Sequence, residues 1–183
     1  MSHGLEVPGH LAGPVPRPLV PLARMLAGIN RLVLFLSMIA LVLAAAVLTY
    51  SVFSRYFFHA ATDWQDELAV FLLVGATFLC GAYVQSYRGH VGIEAVASIL
   101  PPAANRWRLT VVDILTLAFC AFFAWKSWTL FHEAWVDKQT TSSSWAPPLI
   151  IPYGLMAFGM SLLSLQTLLQ TLTHFLGDRH NRP

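Results

Sequence analysis

The chain has 183 residues, 56% of them hydrophobic and 11% charged, with a net charge of +2. Soluble domains carry about 25% charged residues, so an ordinary water-soluble globule is excluded. The small positive balance follows from membrane orientation and gives no basic surface for nucleic acid.

The predicted elements begin with a tail, residues 1–24, in which Pro8, Pro14, Pro16, Pro18 and Pro21 with several glycines resist helix and strand alike. A membrane domain follows over residues 25–176. Its first span, 32–54, is uncharged between Arg31 and Arg55, and about 20 apolar residues cross a bilayer. Ala44 to Ala46 imitate a signal-cleavage site, but the apolar run is too long and too far from the start for a signal core, so it reads as an uncleaved anchor. Further spans cover 68–87, 109–128, with Asp113 and Lys126 near its two ends, and 149–176; residues 177–183 form a second tail. Backbone polar groups in hydrocarbon must pair internally, and these runs exceed the length of barrel strands, so the fold class is an all-α membrane protein of four spans.

Lys and Arg are distributed unequally. Arg17, Arg24, Arg31, Arg88, Arg106, Arg108, Arg179 and Arg182 fall on one side of the four spans, and Arg55, Lys126 and Lys138 on the other. The positive-inside rule then predicts that both termini and the middle loop are cytoplasmic. Cys80 and Cys120 both lie within spans, where they read as small packing residues.

Between the first two spans, Asp63, Asp66 and Glu67 could bind a cation or do acid–base work. A helix start explains them more simply. Thr62 and Gln65 have capping-box spacing, Asp63 is an alternative cap, and Asp66 and Glu67 sit where the helix dipole favours negative charge. Trp64 is an interfacial anchor. The histidines raise haem ligation, but His59 and His90 fall in opposite loops, and His132 and His174 near opposite ends of their spans. A transport site of the chain's own would need midplane ionisable groups or paired broken helices. Asp113 and Lys126 can instead reach the interface, and Pro152 lies in a first turn.

The middle loop, residues 88–108, is too polar to cross. Ile93, Val96 or Ala97, and Leu100 share one face of a short surface helix, which Pro101 and Pro102 end. The other loop mixes Trp135 and Trp145 with charges and a Ser/Thr run. On the fourth span Gly154, Ala157, Ser161 and Ser164 form a small-residue stripe, as Ala40 and Ala44 do on the first. Such stripes let helices approach closely, and packing inside the chain's own bundle is their simplest use.

Four segments in order carry a family resemblance: Arg55-Tyr56-Phe57 closing the first span, Trp64-Gln65-Asp66-Glu67 opening the second, Arg88-Gly89-His90-Val91-Gly92-Ile93-Glu94 after it, and Trp145 to Pro148 entering the last. Over residues 25–176 the chain resembles the small, Q-type integral membrane subunit of tripartite ATP-independent periplasmic (TRAP) transporters. Asp66 stands where that family commonly has glutamate, and Glu94 where aspartate is common; both keep the acidic character.

The resemblance implies a multi-pass protein of the bacterial inner membrane, in contact with lipid, with no catalytic, metal or cofactor site. Its implied partners are a large multi-span permease subunit and a periplasmic solute-binding protein. It implies uptake of a small organic acid driven by an ion gradient, typically sodium, with this subunit as scaffold. Arg55, Tyr56, Trp64, Asp66, Glu67, Arg88, Gly89, His90 and Glu94 are then motif residues with structural or interface roles. The charged groups at the end of the second span further suggest that Arg88 and Glu94 hold the surface helix against the bundle or the permease, with His90 adding a hydrogen bond; the alternative is a solvated loop. The alternatives are a haem-binding anchor of a respiratory complex and a stand-alone small channel or exporter.

Overall fold

The computed structural model describes residues 19–59, 62–86 and 102–180, apart from the side chains of 102–107, 109 and 174–180. They form four helices: α1 (Val20–Phe58), α2 (Asp63–Ser86), α3 (Pro102–Val136) and α4 (Ile150–His180). Each contains a stretch long and apolar enough to cross a membrane, so the fold is all-α with four spans, as composition and run length require.

The helices outrun the apolar segments that announce them. α1 has 39 residues, about 58 Å at 1.5 Å per residue, nearly twice the hydrocarbon thickness. Arg24 and Arg31 end the uncharged run without ending the helix, because hydropathy marks what lies in lipid while backbone pairing continues in water. Residues 20–24, placed in the tail by composition, thus form the first turns of α1, where Pro21 lacks only an N–H that would be unpaired anyway. At the far end Arg55 lies in the last turn, favourable to the dipole, and His59 caps the helix in the left-handed region at φ 52°. Likewise Pro102 opens α3, and Arg106 and Arg108 lie on that helix rather than in a loop. α3 continues to Val136, where the segment from Asp137 folds back: Leu149 N–H donates to Gln139 O at 2.9 Å and Thr141 N–H to Pro147 O at 3.1 Å. The proposed surface helix within 88–101 lies outside the described residues.

Packing order follows α1–α2–α4–α3, with α4 inside and α1 and α3 on the flanks. Half of the apolar window of α4 is buried, against 17% in α1 and α3, so the flanking helices give most of their surface to the surroundings. The start of α1 meets the end of α4 through Ala23, Leu26 and Leu169, and about two turns deeper Val33, Ala82 and Leu162 join α1, α2 and α4. This places the start of α1 and the end of α4 at one end of the layer, the terminal end. The α1–α2 turn and the α3–α4 loop lie at the other, the loop end, where Ser144 Oγ donates to Asp63 Oδ2 at 2.7 Å.

α2 and α4 approach closely at one point. A Cβ added at Gly159 would stand 2.5 Å from Phe78 O and 2.6 Å from Phe78 C, so the absence of a side chain is what lets the two backbones touch. The stripe on α4 turns the other way, onto α3. A Cβ at Gly154 would meet the Phe131 ring at 3.1 Å, Ala157 is fully buried, and Ser161 Oγ accepts a 3.0 Å hydrogen bond from Trp128 Nε1 while donating to Ala157 O. Ser164 Oγ is buried with no partner. On α1, Ala44 is buried, whereas Ala40 is half-buried.

Candidate functional site

At the loop end, the polar bridge between α1 and α2 is drawn together by one arginine. Arg55, in the last turn of α1, donates from Nη2 to Asp66 Oδ2 at 3.0 Å and from Nε to Thr62 Oγ1 at 3.2 Å; Nη2 also reaches Thr62 Oγ1. Ser51, one turn back on the same helix and buried, donates to Asp66 Oδ1 at 3.1 Å. Both oxygens of Asp66 are therefore engaged by α1, and a reversal of only a few residues is clamped from both sides.

The geometry corrects the predicted capping box. Thr62 Oγ1 serves Arg55 instead of a helix N–H, and Gln65, 3% exposed, holds Oε1 buried without a partner. Asp63 turns to Ser144 of the α3–α4 loop. The negative first turn remains, with Asp63 and Asp66 where the dipole favours them.

The motif acids do not converge. On a helix, residues 66 and 67 point about 100° apart; Asp66 faces α1, while Glu67 is half-buried with Oε2 unpartnered. Tyr56 is 76% exposed and rests edge-on against Phe57 at 5.1 Å, and Trp64 is 43% exposed, both suited to a membrane–water boundary. Arg88, Gly89, His90 and Glu94 lie outside the described residues.

Among the described residues no group of three or more His, Cys, Asp or Glu could hold a metal ion. Cys80 and Cys120 are free thiols on α2 and α3. His59 ends α1 and His132 is exposed on α3, at the two flanks of the layer. Lys126 folds its ammonium over the Trp125 ring, 5.1 Å from the centroid.

Sequence reasoning passed over a second polar set, nearer the terminal end. Asn30 Nδ2 donates to Gln166 Oε1 at 3.1 Å, joining α1 to α4, and both residues are buried. Gln85 Nε2 donates to Gln170 Oε1 at 3.0 Å, and Gln170 Nε2 returns a 2.8 Å bond to Gln85 O, joining α2 to α4. A legible signal was present: Gln166 and Gln170 stand four apart in an apolar run, hence on one helix face. Buried amides of this kind pair across helices because hydrocarbon offers no alternative partner.

Residues 44–177 match a family model described as "Tripartite ATP-independent periplasmic transporters, DctQ component". Neither the curated proteins nor the solved structures gave a match.

Proposed function

The chain belongs to the DctQ component family of the tripartite ATP-independent periplasmic transporters, a small inner-membrane transporter subunit rather than an enzyme family, and from that membership we propose that it scaffolds the large permease subunit. In this reading the permease carries the solute, a periplasmic binding protein delivers it, and an ion gradient drives uptake of a small organic acid. The terminal end of the layer faces the cytoplasm, by the arginine and lysine split.

The family match is the observation that carries this. The arrangement of polar groups supports it: the acids and the arginine of the α1–α2 turn lie at helix ends, and the buried amides pair with one another across helices. A protein that moved a solute itself would hold such groups open toward a path. α1 and α3 offer long apolar faces to a partner or to lipid.

Reconstitution tests the proposal. Proteoliposomes containing this subunit alone should show no uptake of candidate organic acids under a sodium gradient. Adding the large subunit and the binding protein should establish it, and omitting this subunit should remove it. Uptake by the subunit alone, or undiminished uptake without it, would refute the scaffold role.

A further inference from the structure

A cleft of about 570 Å³ opens between α1 and α4 toward the loop end. The two helices touch near the terminal end, through Leu26 with Leu169 and Val33 with Leu162, and diverge from there. α2 forms the floor from Leu68 to Leu79, and Trp145 to Pro148 of the α3–α4 loop form a roof. Its side is open, continuous with the exposed surface of α1 at Leu36 and of α4 at Ile151.

We propose that this cleft is a phospholipid site holding one acyl chain. Three observations select that occupant. First, the lining is almost wholly apolar, and the hydroxyl proton of Ser37 is already given to Val33 O at 2.8 Å, so below the Trp145 roof the cleft offers water no free donor. Second, the floor from residue 68 to 79 is about 16 Å long at 1.5 Å per residue, about half of the ~30 Å hydrocarbon thickness. A single leaflet's chain has that reach. A transmembrane helix of a partner would need a groove running on past the Val33–Ala82–Leu162 contact, which closes this one. Third, Trp145 in the roof is 47% exposed, and its indole N–H makes no hydrogen bond among the described residues. It can donate to an ester oxygen at the head of the chain, as interfacial tryptophans do.

The site is independent of the scaffold role, and its test uses no transport. The full chain is extracted from vesicles of phosphatidylethanolamine and phosphatidylglycerol and weighed by native mass spectrometry after exchange into lipid-free detergent. Wild type should retain one phospholipid. Ala40→Phe fills the cleft from α1, and Ile151→Trp fills it from a half-exposed position that tolerates bulk. Each should lower retention roughly tenfold, the effect of losing burial of about two methylenes. Val42→Phe, 68% exposed on α1 and outside the cleft, should leave it unchanged. The proposal is overturned if wild type retains no lipid, or if Ile151→Trp retains as much as wild type. It is equally overturned if, in the assembled complex, Ala40→Cys cross-links to the permease and no phospholipid is retained.

Discussion

A single missing Cβ decides how close α2 and α4 can come. Gly159 faces Phe78 backbone atoms, which cannot swing aside, whereas the nearest atom to a Cβ at Gly81 is a Leu163 methyl at 3.9 Å, an ordinary contact. Gly159→Ala should therefore force the helices apart and cost about 1–3 kcal/mol, the range for overpacking, while Gly81→Ala should be neutral or stabilising by up to about 1 kcal/mol through helix propensity. Reversible unfolding in mixed micelles would rank the two, and equal stability would show that the contact at Gly159 is not as close as described. The Arg55–Asp66 pair belongs to a different energetic class. Its side chains are 65% and 51% exposed, so solvent screens the attraction, and Arg55→Ala should cost only about 0–1 kcal/mol. Its loss should show instead as greater mobility of the α1–α2 turn, read by spin labels at residue 58.

Between elements, the buried amides fix which turn of α1 meets which turn of α4. Gln166→Leu would leave Asn30 with both its polar groups buried and unpaired, since Asn30 Oδ1 already lacks a donor. An unsatisfied buried group costs about 1–3 kcal/mol, although interhelical hydrogen bonds in membranes average only about 0.6 kcal/mol. The single variant should thus lose more stability than the double variant Asn30→Leu/Gln166→Leu, which removes the orphan together with its partner. Unfolding of wild type, both single variants and the double variant supplies the cycle; a double variant as unstable as the sum of the singles would refute the coupling. The small-residue stripe of α4 works by contact rather than by hydrogen bond. Its faces settle on α3, so Ala157→Leu should separate α3 from α4 and leave the α1–α2 pair intact.

For the molecule as a whole, the start of α1 and the end of α4 lie together while both connecting turns lie opposite. Substituted cysteines at Ser142 and His59 should therefore react with an impermeant thiol reagent from the same side of a sealed vesicle, and one at Ser2 from the other. By the charge split, residues 59 and 142 are expected on the periplasmic side. Reaction of residues 142 and 59 from opposite faces would break the four-span topology. Reaction of both from the cytoplasm would keep the topology and invert the orientation.

The linear sequence determined the fold class, the number of spans and the family. Each depends on quantities carried by the chain locally: uncharged runs such as 32–54 long enough to cross lipid, and short motifs such as Arg55-Tyr56-Phe57 and Trp64-Gln65-Asp66-Glu67 in a fixed order. Helix ends were less legible, because Arg24 and Arg31 mark where lipid stops and not where backbone pairing stops. Only the tertiary structure decided which partner each side chain takes. Thr62 had the spacing of a capping box, yet the chain reversal brings Arg55 within reach and a charged donor outcompetes a backbone N–H. Asn30 and Gln166 are 136 residues apart, and no local pattern records such a distance. The cleft arises in the same way, from the divergence of α1 and α4 above a shared contact, a property of crossing helices rather than of either sequence segment.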